Sequence, residues 1–242
     1  MEFKRENIPF FSVCVLLIVA AFFIGNYRAE LKYLRGGGAL PQATGTPTAP
    51  TAPPEDNSAT LAKEVERPSQ DDHIRGNPNA NIAIIEYSDY ECPYCKQFHP
   101  SMQQVMSEYN DEVMWVYRHF PLEQIHPMAR PAAIASECVA DLAGSDAFWT
   151  FTDTVFENQA LISVDQIDSW ALATGIDSTA YETCKLDSSV ANIVDADLQS
   201  GISAGVNGTP GTIIMNINSG EVSVLPGAVP FAQIQSAIES LR

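Results

Sequence analysis

Beyond residue 70, the pattern of apolar and polar positions changes its period from segment to segment. Ile82–Ser88 is a short apolar run, rich in β-branched residues and bounded by turn-forming ones, which predicts a buried strand. From Lys96 to Tyr109 apolar residues recur at spacings of three and four, which predicts a helix. Val113–His119 predicts a second buried strand. The folded part of the chain therefore opens with the order strand, helix, strand.

A block of helical patterns follows the second strand. The predicted helices are Pro127–Ala143, Asp146–Asn158, Asp165–Thr174, Ser178–Leu186 and Val190–Ala204. Strand patterns return at Thr212–Ile217 and Val222–Leu225, and Pro230–Leu241 predicts a final helix. This order predicts the α/β class: one domain over residues 71–242, with a mixed sheet and a helical insertion at about 124–204.

The first 70 residues have a different character. Residues 9–25 contain no charge in seventeen positions and would span about 25 Å as a helix, at the short edge of what crosses a bilayer. We expect residues 1–26 to form an uncleaved membrane anchor, with a cleaved signal peptide as the alternative. Basic residues flank the segment on both sides, so they do not fix its orientation. Residues 27–70, rich in Gly, Pro, Thr and Ala, predict a disordered linker.

Charge narrows the choice of partners. Residues 36–242 contain 8 Lys and Arg against 27 Asp and Glu, a net charge of −19. Such a domain repels phosphate backbones and anionic lipid surfaces, which argues against a nucleic acid as partner.

The candidate chemistry lies in Cys92-Pro-Tyr-Cys95, between the first strand and the first helix. At a helix N-terminus, backbone N–H groups and the helix dipole stabilise a thiolate, here that of Cys92. Cys95 follows one turn later and can resolve a mixed disulfide. A zinc site is the alternative, but Cys138 and Cys184 stand singly and far apart rather than as a second Cys-x-x-Cys. We therefore expect redox chemistry and no metal.

Two further features favour redox chemistry. Glu86 lies within the first strand, where a buried carboxylate is costly unless it has a role. It is either a proton acceptor for Cys95 or a solvated carboxylate at a strand end. Thr209-Pro210 precedes the third strand and is either a boundary marker or a cis bond that presents the Thr209 backbone to a substrate beside Cys92.

Four segments together resemble the DsbA-like thiol–disulfide oxidoreductases of the thioredoxin superfamily. They are IEYSDYECPYC (85–95), RHFPL (118–122), HPMAR (126–130) and GVNGTPGT (205–212). The resemblance covers about residues 71–242 and implies a thioredoxin fold interrupted by a helical domain. By the same resemblance Cys92 is the attacking and leaving sulfur and Cys95 the buried resolving sulfur. It also makes Glu86 the buried acid and Thr209-Pro210 the substrate-binding cis-proline loop.

Two departures from the family pattern bear on oxidising strength. The dipeptide Pro93-Tyr94 lacks the histidine found between the cysteines of the strongest oxidant. Asp89 and Glu91 lie beside Cys92 in the sequence, and negative charge opposes thiolate formation. We therefore expect a lowered but less extreme pKa for Cys92.

Cys138 and Cys184 are either two inert buried thiols or a structural disulfide between helices of the insertion. Some relatives in the family carry a comparable second bridge, which favours the disulfide, and a disulfide indicates an oxidising compartment. Among the histidines, His99 follows Cys95 by one helical turn and either interacts with the site or is a partly exposed helix residue.

The sequence thus leads us to expect a membrane-tethered, extracytoplasmic oxidoreductase that forms disulfides in exported proteins with free cysteines. The family implies reoxidation by a quinone-linked membrane partner of DsbB or vitamin-K-epoxide-reductase type, and no bound cofactor is expected. A disulfide reductase or isomerase on the same fold is the nearest alternative. A peptide-binding, chaperone-like domain without enzymatic activity is the other.

Overall fold

The computed structural model of this protein describes residues 64–242. Its strands are His73–Gly76 (β1), Ile82–Ser88 (β2), Val113–His119 (β3), Gly211–Asn216 (β4) and Val222–Leu225 (β5). Its α-helices are Pro93–Tyr109 (α1), Ala129–Ala143 (α2), Ser145–Glu157 (α3), Val164–Ala173 (α4), Ser178–Lys185 (α5), Ser188–Ser203 (α6) and Phe231–Leu241 (α7). A short 3₁₀ turn, Gln159–Leu161, lies between α3 and α4. Every strand and helix predicted beyond residue 70 is present, so the α/β prediction with a helical insertion is confirmed.

The strands form one mixed sheet in the order β1-β3-β2-β4-β5. Only β2 and β3 run parallel, joined by α1 as the crossover, whereas the other pairs are antiparallel. The sequence did not predict β1. Its four residues, His-Ile-Arg-Gly, show neither an apolar run nor a long alternation, and they form a strand because the edge of β3 is available for pairing.

Both faces of the central strands are covered. Every residue of β2 and β3 is buried, so neighbouring side chains of one strand enter different clusters. Ile82 and Ile84 pack under α1 together with Trp115 of β3, while Ala83 and Ile85 pack in the cluster on the opposite face. Because Glu86 continues the alternation of Ile82 and Ile84, its carboxylate lies on the face covered by α1.

The helical insertion lies between β3 and β4 and is built from α2 to α6. Within it a disulfide joins Cys138 of α2 to Cys184 of α5, across 46 residues of chain. Closing a loop of this length stabilises a fold by about 4 kcal/mol in the chain-entropy description.

The folded domain begins several residues before the predicted boundary between residues 70 and 71. Val65 is buried in the cluster on the face opposite α1. The guanidinium of Arg118 is buried on that side and donates to the carbonyl of Glu66 and to the carboxylate of Asp72. The linker prediction is therefore wrong for residues 65–70, because Val65 packs in the core and the backbone of Glu66 binds the buried guanidinium of Arg118. The predicted anchor lies outside the described residues, and between residues 64 and 242 no helix is both long and apolar enough to span a membrane.

Candidate active site

The loop between β2 and α1 places Cys92 at the N-cap of the helix. Cys92 has an extended backbone (φ −70°, ψ 122°), and Pro93 opens the helix, where its missing N–H costs nothing. The side-chain amide of Gln159 donates to the carbonyls of both Tyr90 and Cys92, each at 2.9 Å. The insertion therefore holds the loop that presents Cys92 to the free N–H groups of the first turn of α1.

The environment of Cys92 favours its thiolate. The Cys92 pKa is lowered to about 5, and the largest cause is a hydrogen bond from the Cys95 thiol. The Thr209 side chain and the backbone N–H groups of Cys95 and Tyr94 add to the shift, whereas burial opposes it. In the thiol form, Cys92 Sγ donates to the carbonyl oxygen of Thr209 at 3.3 Å. The Thr209–Pro210 peptide bond is cis, and this contact shows that the loop before β4 faces Cys92.

Cys95 lies in the opposite environment. It is 0% exposed, and burial, the Cys92 thiolate and the charge of Glu86 raise its pKa well above the usual range. The two cysteines are not joined by a disulfide in this structure, which therefore describes the reduced pair. Of the two sulfurs, Cys92 is therefore the one that is ionised at neutral pH, and Cys95 is the one that holds its proton.

Glu86 is fully buried on the β2 face beneath α1. Its Oε2 accepts a hydrogen bond from the indole N–H of Trp115 at 2.9 Å, whereas Oε1 has no hydrogen-bond partner within residues 64–242. Burial raises the Glu86 pKa, and contacts with Ser88, His99 and Trp115 offset part of the rise. Glu86 is therefore a buried carboxyl whose charge acts on Cys95, which makes it the candidate for proton exchange with that sulfur.

Asp89 and Glu91 have a structural role. Asp89 Oδ2 accepts from the Nδ1 of His126 at 2.8 Å, and Glu91 Oε2 accepts from the backbone N–H of Met128 at the start of α2. Neither acid is among the main causes acting on the Cys92 pKa. Both carboxylates hold the loop that leads into the insertion, and the Cys92 pKa is lowered, as expected.

The sequence did not reveal the partner of His99, which lies on the same face of α1 as Cys95. His99 is 3% exposed, and its Nε2 lies 2.7 Å from Oδ1 of Asp153 on α3. Arg75 of β1 also donates to Asp153, at 2.8 Å. Despite burial, the contacts with His99 and Arg75 lower the Asp153 pKa to about 2. The spacing from Cys95 marked His99, but no spacing connects it to a partner 54 residues away on another helix.

A second cluster joins the sheet to the insertion. Glu137 Oε1 lies 2.6 Å from the Nε2 of His73 and 2.8 Å from that of His119, and despite burial these contacts lower the Glu137 pKa to about 2. Two histidines and a carboxylate whose ligand atoms lie within 4.8 Å of one another could also hold a metal ion. However, a histidine bound to a metal normally donates its second N–H, and buried His119 Nδ1 finds no partner among the described residues. The hydrogen-bonded arrangement fits the contacts better.

A groove of about 440 Å³ opens beside the cis-proline loop. Residues 204–213 and 224–227 line it, so it runs along the loop and the exposed edge of the β4–β5 hairpin. An extended peptide is the kind of ligand that a groove beside backbone carbonyls and amides can accept.

A parallel β2–α1–β3 unit, a Cys-x-x-Cys at the start of its helix and a facing cis-proline loop define a thioredoxin-like thiol protein. A family profile described as thioredoxin matches residues 68–239, and the chain belongs to the thioredoxin family.

Solved structures share the whole domain. The crystal structure of Pseudomonas aeruginosa DsbA2 is 26% identical, covers 73% of this chain and 97% of that chain, and has a TM-score of 0.61. The Wolbachia pipientis protein alpha-DsbA2, described as a thiol-disulfide exchange protein, is 18% identical, covers 77% of this chain and 98% of that chain, and has a TM-score of 0.66. The fold is therefore of the DsbA type, a thioredoxin fold with a helical insertion.

A curated relative has an unexpected name. The Na(+)/H(+) antiporter NhaA 1 of Mycolicibacterium gilvum is 34% identical over 167 residues, which cover 68% of this chain and 26% of that protein. This chain thus spans about a quarter of the length of that relative. The name describes the whole of that larger protein, and we draw no transport activity from it.

Proposed function

We propose that this protein is a thiol–disulfide oxidoreductase that forms disulfides in exported proteins through Cys92 and Cys95. The observation that carries the proposal is the contrast between the two sulfurs: the pKa of Cys92 is lowered to about 5, while that of Cys95 is raised. A stabilised thiolate favours the reduced pair and leaves readily, so the oxidised pair tends to pass its disulfide to a substrate.

The reaction follows from this contrast. A substrate thiolate attacks Cys92 Sγ of the Cys92–Cys95 disulfide, and Cys95 leaves and takes up a proton, which Glu86 can supply. A second substrate thiolate then attacks the substrate sulfur of the mixed disulfide, and Cys92 leaves as a thiolate. The substrate loses two electrons and gains a disulfide, and the protein gains the two electrons as a dithiol. During the exchange the groove beside Thr209 and Pro210 holds the substrate chain.

The cellular setting is part of the proposal. An apolar segment at residues 9–25 supports a single-pass anchor, with the linker holding the domain away from the membrane. The Cys138–Cys184 disulfide is of the kind that persists on the extracytoplasmic side. A quinone-linked membrane protein of DsbB or vitamin-K-epoxide-reductase type would then reoxidise the pair, and the protein itself needs no cofactor.

A redox titration against glutathione tests the direction of exchange. We expect the Cys92–Cys95 pair to be more oxidising than thioredoxin, whose potential is about −270 mV. A value at or below that of thioredoxin would instead indicate a reductase.

Trapping tests whether the cysteines act on substrates at all. Cys95→Ser should accumulate mixed disulfides with reduced, unfolded proteins, and Cys92→Ser should form none, because it lacks the sulfur that is attacked. A Cys92→Ser variant that retains full function would identify the protein as a non-enzymatic peptide-binding domain.

A further inference from the structure

The contact with Asp153 fixes which ring nitrogen of neutral His99 carries the hydrogen. Asp153 is ionised at neutral pH and can only accept a hydrogen bond, so the His99 Nε2 that lies 2.7 Å from it must carry a hydrogen. In neutral His99 the other nitrogen, Nδ1, is then a free acceptor. It is buried, and no hydrogen-bond partner for it exists within residues 64–242. Asp153 thus leaves His99 with a proton-accepting nitrogen inside the protein.

The carboxyl of Glu86 is the nearby buried group that could exchange a proton with Nδ1 of His99. Its Oε1 is buried, and the Ser88 hydroxyl is the described group near it. Glu86 and His99 are close enough that charge on His99 stabilises the Glu86 carboxylate. Trp115 contacts both, since its indole N–H donates to Glu86 and its ring centroid lies 5.3 Å from that of His99. A buried polar atom without a partner calls for an explanation, and a redox or catalytic role is one.

Protons on Cys95 need a path to water, and His99 offers one. Cys95 and Glu86 are both 0% exposed, and burial raises the pKa of the adjacent Tyr117 hydroxyl well beyond the neutral range. His99 acts on Glu86 through its charge and contacts Asp153, whose side chain is 29% exposed. The charged or titratable groups that face the Glu86–His99 pair are Cys95 on the same helix, Tyr117 on β3, Asp153 on α3 and Arg75 on β1.

We propose that His99 carries the proton between Glu86 and solvent, an inference that rests on the proposed thiol–disulfide exchange. When the pair is reoxidised, the Cys95 S–H proton passes to the Glu86 carboxylate and then to Nδ1 of His99. The resulting imidazolium is held by Asp153, where it exchanges a proton with water. When the pair oxidises a substrate, the Nδ1 proton returns through Glu86 to the departing Cys95 thiolate. No electrons move in these steps, because the sulfurs carry them. His99 acts through Glu86, so it is a positioning residue, as is Asp153.

The alternative is that His99 only fills space between Trp115 and Phe156, whose ring centroid lies 4.8 Å away. His99→Gln separates the two roles, since a glutamine amide can still donate to Asp153 and occupy much of the same volume but cannot carry a proton. The experiment is single-turnover reduction of the Cys92–Cys95 disulfide by dithiothreitol, followed by tryptophan fluorescence between pH 5 and 8 in water and in deuterium oxide.

We expect dithiothreitol to reduce the disulfide of the His99→Gln variant at least about tenfold more slowly than that of the unsubstituted protein. The pH profile and the solvent isotope effect of this rate should also change. Asp153→Asn, a second variant in case His99→Gln folds poorly, should move the pH profile in the same way. His73→Gln is the matched control, because it replaces a histidine that contacts a buried carboxylate in the other cluster and should leave rate and profile unchanged.

A folded His99→Gln or Asp153→Asn variant that keeps the rate, profile and isotope effect of the unsubstituted protein would overturn the proposal. Dithiothreitol reduces the pair whether or not exported proteins are substrates. The fate of the proposed physiological function is therefore decided separately, by mixed-disulfide trapping.

Discussion

Lowering the pH through the pKa of Cys92 should remove much of the stability that the thiolate gives to the reduced pair. The hydrogen bond from Cys95 is the main cause that brings this pKa from its ordinary value of 9.0 to about 5 in the folded dithiol form. A lowered pKa stabilises the folded state fully above pH 9, partly at pH 7, and no longer once the pH falls through 5. At pH 7, two pH units above the lowered pKa, the contribution is about 2.7 kcal/mol. This is an upper figure, because nearby solvent screens part of it.

The same free energy sets the potential of the pair. For a two-electron couple, about 2.7 kcal/mol corresponds to roughly 60 mV towards the oxidising side at pH 7. Above pH 5, reduction of the disulfide should take up two electrons and one proton, that of Cys95. The reduction potential should therefore fall by about 30 mV per pH unit. Below pH 5 Cys92 is protonated as well, and the slope should double to about 60 mV.

Equilibration with glutathione buffers from pH 4.5 to 8, read by tryptophan fluorescence, measures this slope. Thiolate absorbance near 240 nm gives the Cys92 pKa independently, and Cys92→Ser provides the baseline. A thiolate midpoint at pH 7 or above, or a slope near 60 mV over the whole range, would refute the reasoning.

Three further outcomes are expected. Glu137→Gln should lower the free energy of unfolding at pH 7 by about 3 kcal/mol in urea titrations. The contacts with His73 and His119 stabilise the carboxylate above pH 4.5, and this stabilisation is lost as the pH falls towards 2. A loss of less than about 0.5 kcal/mol would contradict this reasoning. Replacing both Cys138 and Cys184 with Ala should cost up to about 4 kcal/mol in the same assay and leave the Cys92 pKa unchanged, whereas equal urea midpoints would count against the bridge. Glu86→Gln should slow dithiothreitol reduction of the active-site disulfide about 100-fold, and an unchanged rate at pH 7 would rule out proton transfer through Glu86.

Periodicity sufficed for most of the fold because long, regular segments carry their own signal. The strands β2 and β3 and the helices of the insertion were predicted from spacing alone, close to their observed bounds. The edge strand β1 was missed, since four residues hold too little pattern and its pairing with β3 is a long-range event. The start of α1 was also placed late, at Lys96, because Pro93 and Tyr94 add no apolar repeat although Pro93 suits the first turn.

The same distinction between local pattern and long-range packing applies to the residues of the site. Cys92, Cys95 and Glu86 were identified because motif spacing and strand alternation are local properties of the chain. The contact between Cys92 and Thr209 spans 117 residues, and that between His99 and Asp153 spans 54. Such pairs depend on how the elements pack, so the burial of His99 and the anchoring role of Asp89 and Glu91 could not be deduced from sequence.

The sequence by itself determined the order of elements, the reactive pair at a helix N-terminus and the acidic residue behind it. Only the tertiary structure decided how the two sulfurs differ. Cys92 and Cys95 are the same residue type, three positions apart. Their pKa values separate because Cys92 accepts a hydrogen bond from Cys95 and also contacts Thr209, whereas Cys95 is buried beside Glu86. A pKa depends on the burial and charges around a group, and residues distant in sequence supply both.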